Sequence, residues 1–183
     1  MKIIIDNTCQ LEPDRIKELD LGLIDYPILL NGEVYPQTWD MPNWREEKEK
    51  FIELMRNKNN KATTVGLTEE QFIKAFETYR GEEILLITQA LHNTHATRDA
   101  LHKVLQDHPE YDVKVFDTKS LVSGVGVQLL AMLREVDFKP ADRETCYAIL
   151  MKNRENTRVL GVLYDMFYLH RGGRVGLAKA VMA

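Results

Sequence analysis

Glu83-Ile84-Leu85-Leu86-Ile87-Thr88 decides the fold class of this 183-residue chain, together with the polar run Gln89-Ala90-Leu91-His92-Asn93-Thr94-His95 and the helical pattern over 96–108 that follow it. An uninterrupted apolar run suits a strand covered on both faces, as in a parallel sheet flanked by helices. The same unit recurs downstream. Asp112-Val113-Lys114-Val115-Phe116-Asp117 reads as a strand and leads through Thr118-Lys119-Ser120 into a helix over 121–134. Ile3-Ile4-Ile5 opens the chain as another strand. Arg158-Val159-Leu160-Gly161-Val162-Leu163 reads as the last, after a helix over 140–153 with Pro140 at its start. Strand alternating with helix predicts an α/β protein: a three-layer α/β/α lobe with a mainly parallel sheet.

The intervening segments carry their own signals. Tyr26-Pro27-Ile28-Leu29-Leu30 reads as a strand, Asn31-Gly32 as a turn, and Glu33-Val34-Tyr35 as a short extended piece. Asn43 with Glu46 resembles a capping box for a helix over 44–58, with Phe51, Ile52, Leu54 and Met55 inward. Thr68 with Gln71 starts another helix, burying Phe72, Ala75, Phe76 and Tyr79. Trp39 and Trp44 flank Asp40-Met41-Pro42 and are placed to pin that loop.

Composition bounds the function. The chain is 44% hydrophobic and 28% charged, and no apolar run approaches the ~18 residues of a membrane span. Stable membrane insertion is therefore not expected. Met1-Lys2-Ile3-Ile4-Ile5-Asp6 lacks the long apolar region and small-residue cleavage site of a signal peptide, so a cytoplasmic location is expected. Cys9 and Cys146 make no disulfide framework. The net charge of −4 conceals an asymmetry: from Lys139 onward the balance is +4, and the remainder carries −8. An acidic body with a basic end argues against nucleic-acid binding, which needs a broad basic face. It fits an anionic ligand or an acidic partner surface.

In open parallel sheets, ligands bind beyond the carboxyl ends of the strands. Three loops are expected there: Asp6-Asn7-Thr8-Cys9, Thr88 to His95, and Asp117-Thr118-Lys119-Ser120 running on to Ser123-Gly124-Val125-Gly126. Their small polar side chains can cradle a ligand head group, or cap the helices that follow. His92 and His95 are three apart and could share a face as metal ligands. No Cys, His or Asp set completes such a site, and no metal is expected. Cys9 at a strand end could act as a nucleophile with His92 or His95 as base. Cys146, among Tyr147, Ile149 and Leu150, reads as core, and His102, His108 and His170 as surface or core-edge residues. Gly124-x-Gly126 lacks the third glycine of a dinucleotide fingerprint. Near the end, Tyr168-Leu169-His170-Arg171-Gly172-Gly173-Arg174-Val175-Gly176 places two glycines between two arginines. That reads as a helix C-cap and turn, or as a tight turn offering permanent charge to a phosphate, a carboxylate or a partner.

Taken in order, Ile4-Ile5-Asp6-Asn7-Thr8, Tyr26-Pro27-Ile28 with Gly32, Tyr35 and Asp40, Ala62-Thr63-Thr64, Ile87-Thr88 with Leu91-His92-Asn93-Thr94, Phe116-Asp117-Thr118, and Tyr168-Leu169 with Gly172-Gly173-Arg174-Val175-Gly176 resemble the DegV family over the whole chain. The resemblance implies a two-lobed α/β protein that holds a long-chain fatty acid, with the carboxylate among hydroxyls. It implies presentation of that carboxylate to a separate fatty acid kinase catalytic subunit, so that this chain is a lipid-binding accessory and not the catalyst. No cofactor is implied beyond the bound fatty acid.

Carried over by position, the family's Thr-Ser-Gln-Pro-Ser motif begins on Thr64, with Thr63 beside it, and continues here as Val65-Gly66-Leu67-Thr68. Its Leu-Ser-Gly-Thr-Tyr falls on Leu91-His92-Asn93-Thr94-His95, so a histidine stands where a serine is usual. The resemblance thus assigns the carboxylate to Thr63, Thr64, Thr88, His92 and Thr94. It assigns support of the crevice to Asp6, Asn7, Thr8, Asp117 and Ser123, and partner or phosphate contact to Arg171, Gly172, Gly173 and Arg174. Family members are longer. The expected division is therefore a first lobe over 1–165 and the connection into a second lobe over 166–183, with the second lobe missing or only begun. Exposed apolar surface and self-association would follow. Two other functions remain open: a small-molecule enzyme using Cys9 or His92 and His95, and a ligand-free interaction domain.

Overall fold

The computed structural model describes residues 1–36, 42–140, 142–162, 166–171 and 175–176. In chain order the elements are β1 (Lys2–Asp6), α1 (Pro13–Glu18), β2 (Gly22–Ile24), β3 (Ile28–Leu30), β4 (Glu33–Tyr35), α2 (Trp44–Arg56), β5 (Ala62–Thr64), α3 (Glu69–Thr78), β6 (Ile84–Thr88), α4 (His95–Asp107), β7 (Val113–Asp117), α5 (Ser123–Glu135), α6 (Arg143–Asn156) and α7 (Met166–Arg171). They fall into two compact units. One comprises Met1–Tyr26 and Gly66–Val159, the other Pro27–Val65 and Leu160–Ala183. The segment after Tyr26 builds a sheet of its own.

In the first unit four parallel strands form a sheet in the order β2-β1-β6-β7. Ile3 pairs with Leu85 and Ile5 with Ile87, while Ile84 pairs with Val113 and Thr88 with Asp117. Successive side chains alternate between faces. Ile3, Ile5, Leu85, Ile87 and Phe116 pack against α1, α5 and α6 through Ile16, Val125, Leu129, Met132, Cys146 and Leu150. Ile4, Ile84 and Leu86 pack on the other side against Phe72, Phe76, Leu101 and Val104 of α3 and α4. Burial on both faces is what drives the uninterrupted apolar strands, and it gives the α/β/α layering read from the sequence.

Local chemistry fixes the helices. The Thr68 side chain accepts from the Gln71 N–H, and the Gln71 side chain accepts from the Thr68 N–H, a complete capping box. α6 starts later than expected. Asp142, not Pro140, caps it by accepting from the Thr145 N–H at 2.8 Å, and the helix begins at Arg143. α6 then runs alongside the edge strand. At one end Arg143 Nη1 donates to the Asp112 carbonyl at 2.9 Å and to Asp112 Oδ1 at 2.6 Å. At the other, Arg154 Nη1 donates to the Asp117 carbonyl at 3.1 Å, with its guanidinium 5.4 Å from the Phe116 ring.

The glycines of α5 are there for close approach. A Cβ on Gly126 would lie 2.3 Å from the Cys9 carbonyl oxygen, and one on Gly124 would lie 2.0 Å from Ser120 Oγ. This accounts for the Gly-x-Gly pair without a nucleotide.

In the second unit three strands form an antiparallel sheet in the order β4-β3-β5. Asn31 (φ 56°) and Gly32 (φ 92°) make the turn between β3 and β4. Positive φ at both centres suits the right-handed twist of a hairpin. The Tyr35 and Phe51 rings lie 5.1 Å apart. On α2 the expected inner face is only partly realised: Phe51 and Met55 are half-buried, whereas Ile52 and Leu54 are exposed and Trp44 is the buried residue. Asn43 forms no side-chain cap there. It donates instead to Glu47 Oε1 at 3.2 Å, and the helix stops at Arg56.

The strand expected over 158–163 does not form. Residues 157–162 have no regular structure, and Leu160 and Val162 are 97% and 78% exposed. An apolar run makes a strand only where a neighbouring strand pairs with it. Leu163, Trp39, Asp40 and Met41 lie outside the described residues. Among the described residues no helix is long and apolar enough to cross a membrane.

Two stability predictions follow from this packing. Alanine in place of an interior helical glycine ordinarily gains about 1 kcal/mol. At Gly126 the sign reverses, and Gly126→Ala should cost about 1–3 kcal/mol in urea denaturation. Arg143→Ala should cost about 1–3 kcal/mol by the same measurement, because it strips charged donors from Asp112. An unchanged midpoint in either variant would contradict the packing described.

Candidate functional site

The chain passes from β1 to β2 on one side, and from β6 to β7 on the other. The connections therefore diverge between β1 and β6. In open parallel sheets such a switch point leaves a crevice at the carboxyl ends of the strands.

Asp6 spans this point and is buried. As the last residue of β1 it caps the 3₁₀ turn Asn7–Cys9. Its Oδ1 accepts from the Thr8 N–H at 3.0 Å and from the Thr8 hydroxyl. Its Oδ2 accepts from the Thr88 hydroxyl at 2.9 Å and from the Gln89 N–H at 3.2 Å. Two loops, more than eighty residues apart in sequence, are thereby tied to one carboxylate. All four donors are neutral. Burial pushes the Asp6 carboxyl above its ordinary range, although the four hydrogen bonds oppose the shift.

The third loop joins through Thr118, also buried. Its hydroxyl donates to the Thr88 carbonyl at 2.9 Å, and the Ala90 N–H donates to the Ser120 carbonyl at 2.8 Å. Gln128 Nε2, from the buried face of α5, donates to the Thr118 carbonyl at 3.2 Å. Gln128 Oε1 is buried and accepts from no group among the described residues. A water or a ligand O–H is the ordinary partner for such an acceptor. Val122, just before α5, has φ 47° and ψ −129°. This is a strained conformation for a β-branched residue, of the kind that gathers at functional sites.

Asn7 and Thr8 are half-buried beside Asp6, and the Asn7 Oδ1 accepts from the Tyr26 N–H at 3.1 Å. Burial raises the Tyr26 hydroxyl, opposed by the neighbouring side chains of Gln89, Thr97 and Thr94. Thr94 is half-buried and its hydroxyl donates to the Ala90 carbonyl at 3.3 Å. His92, His95 and Ser123 are exposed, and Asp117 Oδ1 accepts from the Lys119 N–H at 2.8 Å.

Thr63 and Thr64 belong to β5 of the other unit, opposite Leu29 and Ile28. In that unit Arg171 Nη1 donates to the Lys58 carbonyl at 2.8 Å, and its guanidinium lies 4.4 Å from the Tyr168 ring. Gly172, Gly173 and Arg174 lie outside the described residues.

The nucleophile expected at Cys9 is disfavoured. Cys9 is buried, and burial pushes its thiol up to about 11, which leaves little thiolate at neutral pH. Among the described residues no group of three or more His, Cys, Asp or Glu could hold a metal ion. What the three loops present at this edge is a set of neutral hydrogen-bonding groups. Gln89, Gln128 and Tyr26 were not singled out by sequence as members of it. Gln128 could have been found, because it interrupts an apolar helix face between Val125, Leu129 and Met132.

A pH prediction follows from Asp6. Its folded carboxyl titrates above its unfolded value, so its contribution to stability is full below that unfolded value and is lost as pH rises through the folded one. Asp6→Asn removes this titration. The urea midpoint of the variant should fall less with rising pH than that of the unmutated chain. A parallel fall in both would exclude Asp6 as the source.

The DegV family model, described as uncharacterised proteins, matches residues 1–183. A DegV domain-containing protein of Clostridium perfringens is 24% identical over 180 residues, which is 95% of this chain and 60% of that relative. Another, from Halalkalibacterium halodurans, is 22% identical over 98% of this chain and 62% of its own length. The chain thus spans about three-fifths of these relatives. Among solved structures it resembles DegV, a fatty acid binding protein from Bacillus subtilis, with a TM-score of 0.74 and 16% identity over 99% of this chain and 63% of that one. It also resembles the Streptococcus pneumoniae Fatty Acid Kinase B3 protein loaded with linoleic acid, with a TM-score of 0.69 and 19% identity over 98% and 63%. In sequence over its whole length and in fold, the chain belongs to the DegV family.

Proposed function

We propose that this chain is a fatty-acid-binding protein that presents the ligand's carboxylate to a fatty acid kinase catalytic subunit. Family membership over all 183 residues is the observation that carries this reading. The tied polar loops at the β1/β6 switch point support it, since they offer neutral hydrogen-bonding groups and no reactive thiol. The kinase step rests on a fold neighbour described as a fatty acid kinase B3 protein.

Within this reading Asp6 is a tether. Thr88 and Thr8 are held by it, and His92 and Thr94 sit on the following loop, within reach of a head group entering the crevice. Asp117 and Ser123 border the same edge. Arg171, Gly172, Gly173 and Arg174 serve the partner or the phosphoryl group. A cytoplasmic site of action belongs to the same proposal.

Native mass spectrometry of the purified chain, followed by denaturation and lipid extraction, tests the binding step. One fatty acid per chain is expected, and the extract would identify its acyl length. A chain that arrives empty and takes up no added oleate would overturn the reading.

A further inference from the structure

A carboxylate entering this crevice needs donors, and most local protons are already committed. The hydroxyls of Thr8 and Thr88 donate to Asp6. That of Thr118 donates to the Thr88 carbonyl, and that of Thr94 to the Ala90 carbonyl. The Thr8 and Gln89 N–H groups also go to Asp6. A hydroxyl has one proton, so each of these threonines can offer a ligand only lone pairs. Gln128 adds another unused acceptor. The floor of the crevice is thus richer in acceptors than a carboxylate can use.

Asn7 has donors to spare and is held in place by its backbone partner. Its Oδ1 faces the Tyr26 backbone N–H at 3.1 Å. That group can only donate, so the atom facing it is the oxygen and the amide's orientation is fixed. Both N–H groups of Nδ2 are then left over, and among the described residues they donate to nothing. The residue is half-buried and directly follows β1, at the point where the connections diverge. His92, Asn93 and Ser123 are exposed, and among the described residues no side-chain hydrogen bond fixes them. A donor held in place before the ligand arrives loses less freedom on binding than a mobile one.

We propose that Asn7 is a head-group-binding residue, donating from Nδ2 to the carboxylate of the bound fatty acid. This rests on the lipid-binding reading above and adds to it a specificity-determining donor.

Asn7→Asp in the full chain tests the assignment. The variant keeps the oxygen that accepts from Tyr26 and replaces the donor with a negative charge. Radiolabelled oleate and oleyl alcohol, each measured by equilibrium partition, are the two probes. Oleate affinity should fall about 10- to 100-fold at pH 8, the loss expected when a charge-assisted hydrogen bond is removed. The deficit should shrink as the pH is lowered and the introduced carboxyl regains a proton. Oleyl alcohol carries no charge and should bind the variant and the unmutated chain within about threefold of each other. Unchanged oleate binding, a pH-independent deficit, or equal loss of both probes would each overturn the role of Asn7. Failure of the unmutated chain to bind oleate is a different result: it overturns the lipid-binding reading itself, and the role of Asn7 with it.

Discussion

The carboxylate of Asp6 is the constraint on which the functional end of this molecule depends. It lies buried where β1 and β6 run side by side, and it collects two backbone and two hydroxyl donors from both loops. Among the described residues no cation stands beside it, and its costly burial is offset by those four hydrogen bonds. The cost has a structural return. Each donor is held to one direction, and the loop after β6 in turn positions the loop after β7 through Thr118 and Ser120. The crevice is therefore ordered from a single buried charge outward.

The parallel sheet was legible because its signal is redundant. Ile3-Ile4-Ile5 and Ile84-Leu85-Leu86-Ile87 are apolar on both faces, and only a doubly covered sheet uses such runs. The capping box at Thr68 and Gln71 was equally plain, since both reciprocal partners are local in sequence. Elements that depend on distant partners were not readable. β2, only Gly22–Ile24, and β5, only Ala62–Thr64, are too short to show a period, and exist because β1 and β3 pair with them. The 158–162 run failed for the converse reason: it is apolar, but among the described residues no strand pairs with it.

The site was legible as a list of loops, but not as a set of roles. Asp6, Asn7, Thr8, Thr88 and Asp117 all fall at the carboxyl edge where strand ends predict them. Which of them holds a ligand and which holds the protein depends on where each proton goes. That is a three-dimensional fact, as the Thr88 hydroxyl shows by donating to Asp6. Arg171 makes the same point in the other unit. Sequence shows its charge, but not that the guanidinium donates to the Lys58 carbonyl and lies against Tyr168.

The pairing of β1 with β6 also has a temporal side. β1 ends at Asp6, but the strand that completes its other edge begins only at Ile84. Between them the chain must produce α1, β2, the whole of Pro27–Val65 and α3. Contacts of such long range are formed late and slowly. During synthesis, Ile3-Ile4-Ile5 waits with one edge unpaired and its apolar faces uncovered, the condition in which nascent chains aggregate or recruit chaperones. The residue that orders the finished crevice is made more than eighty residues before two of the donors that satisfy it.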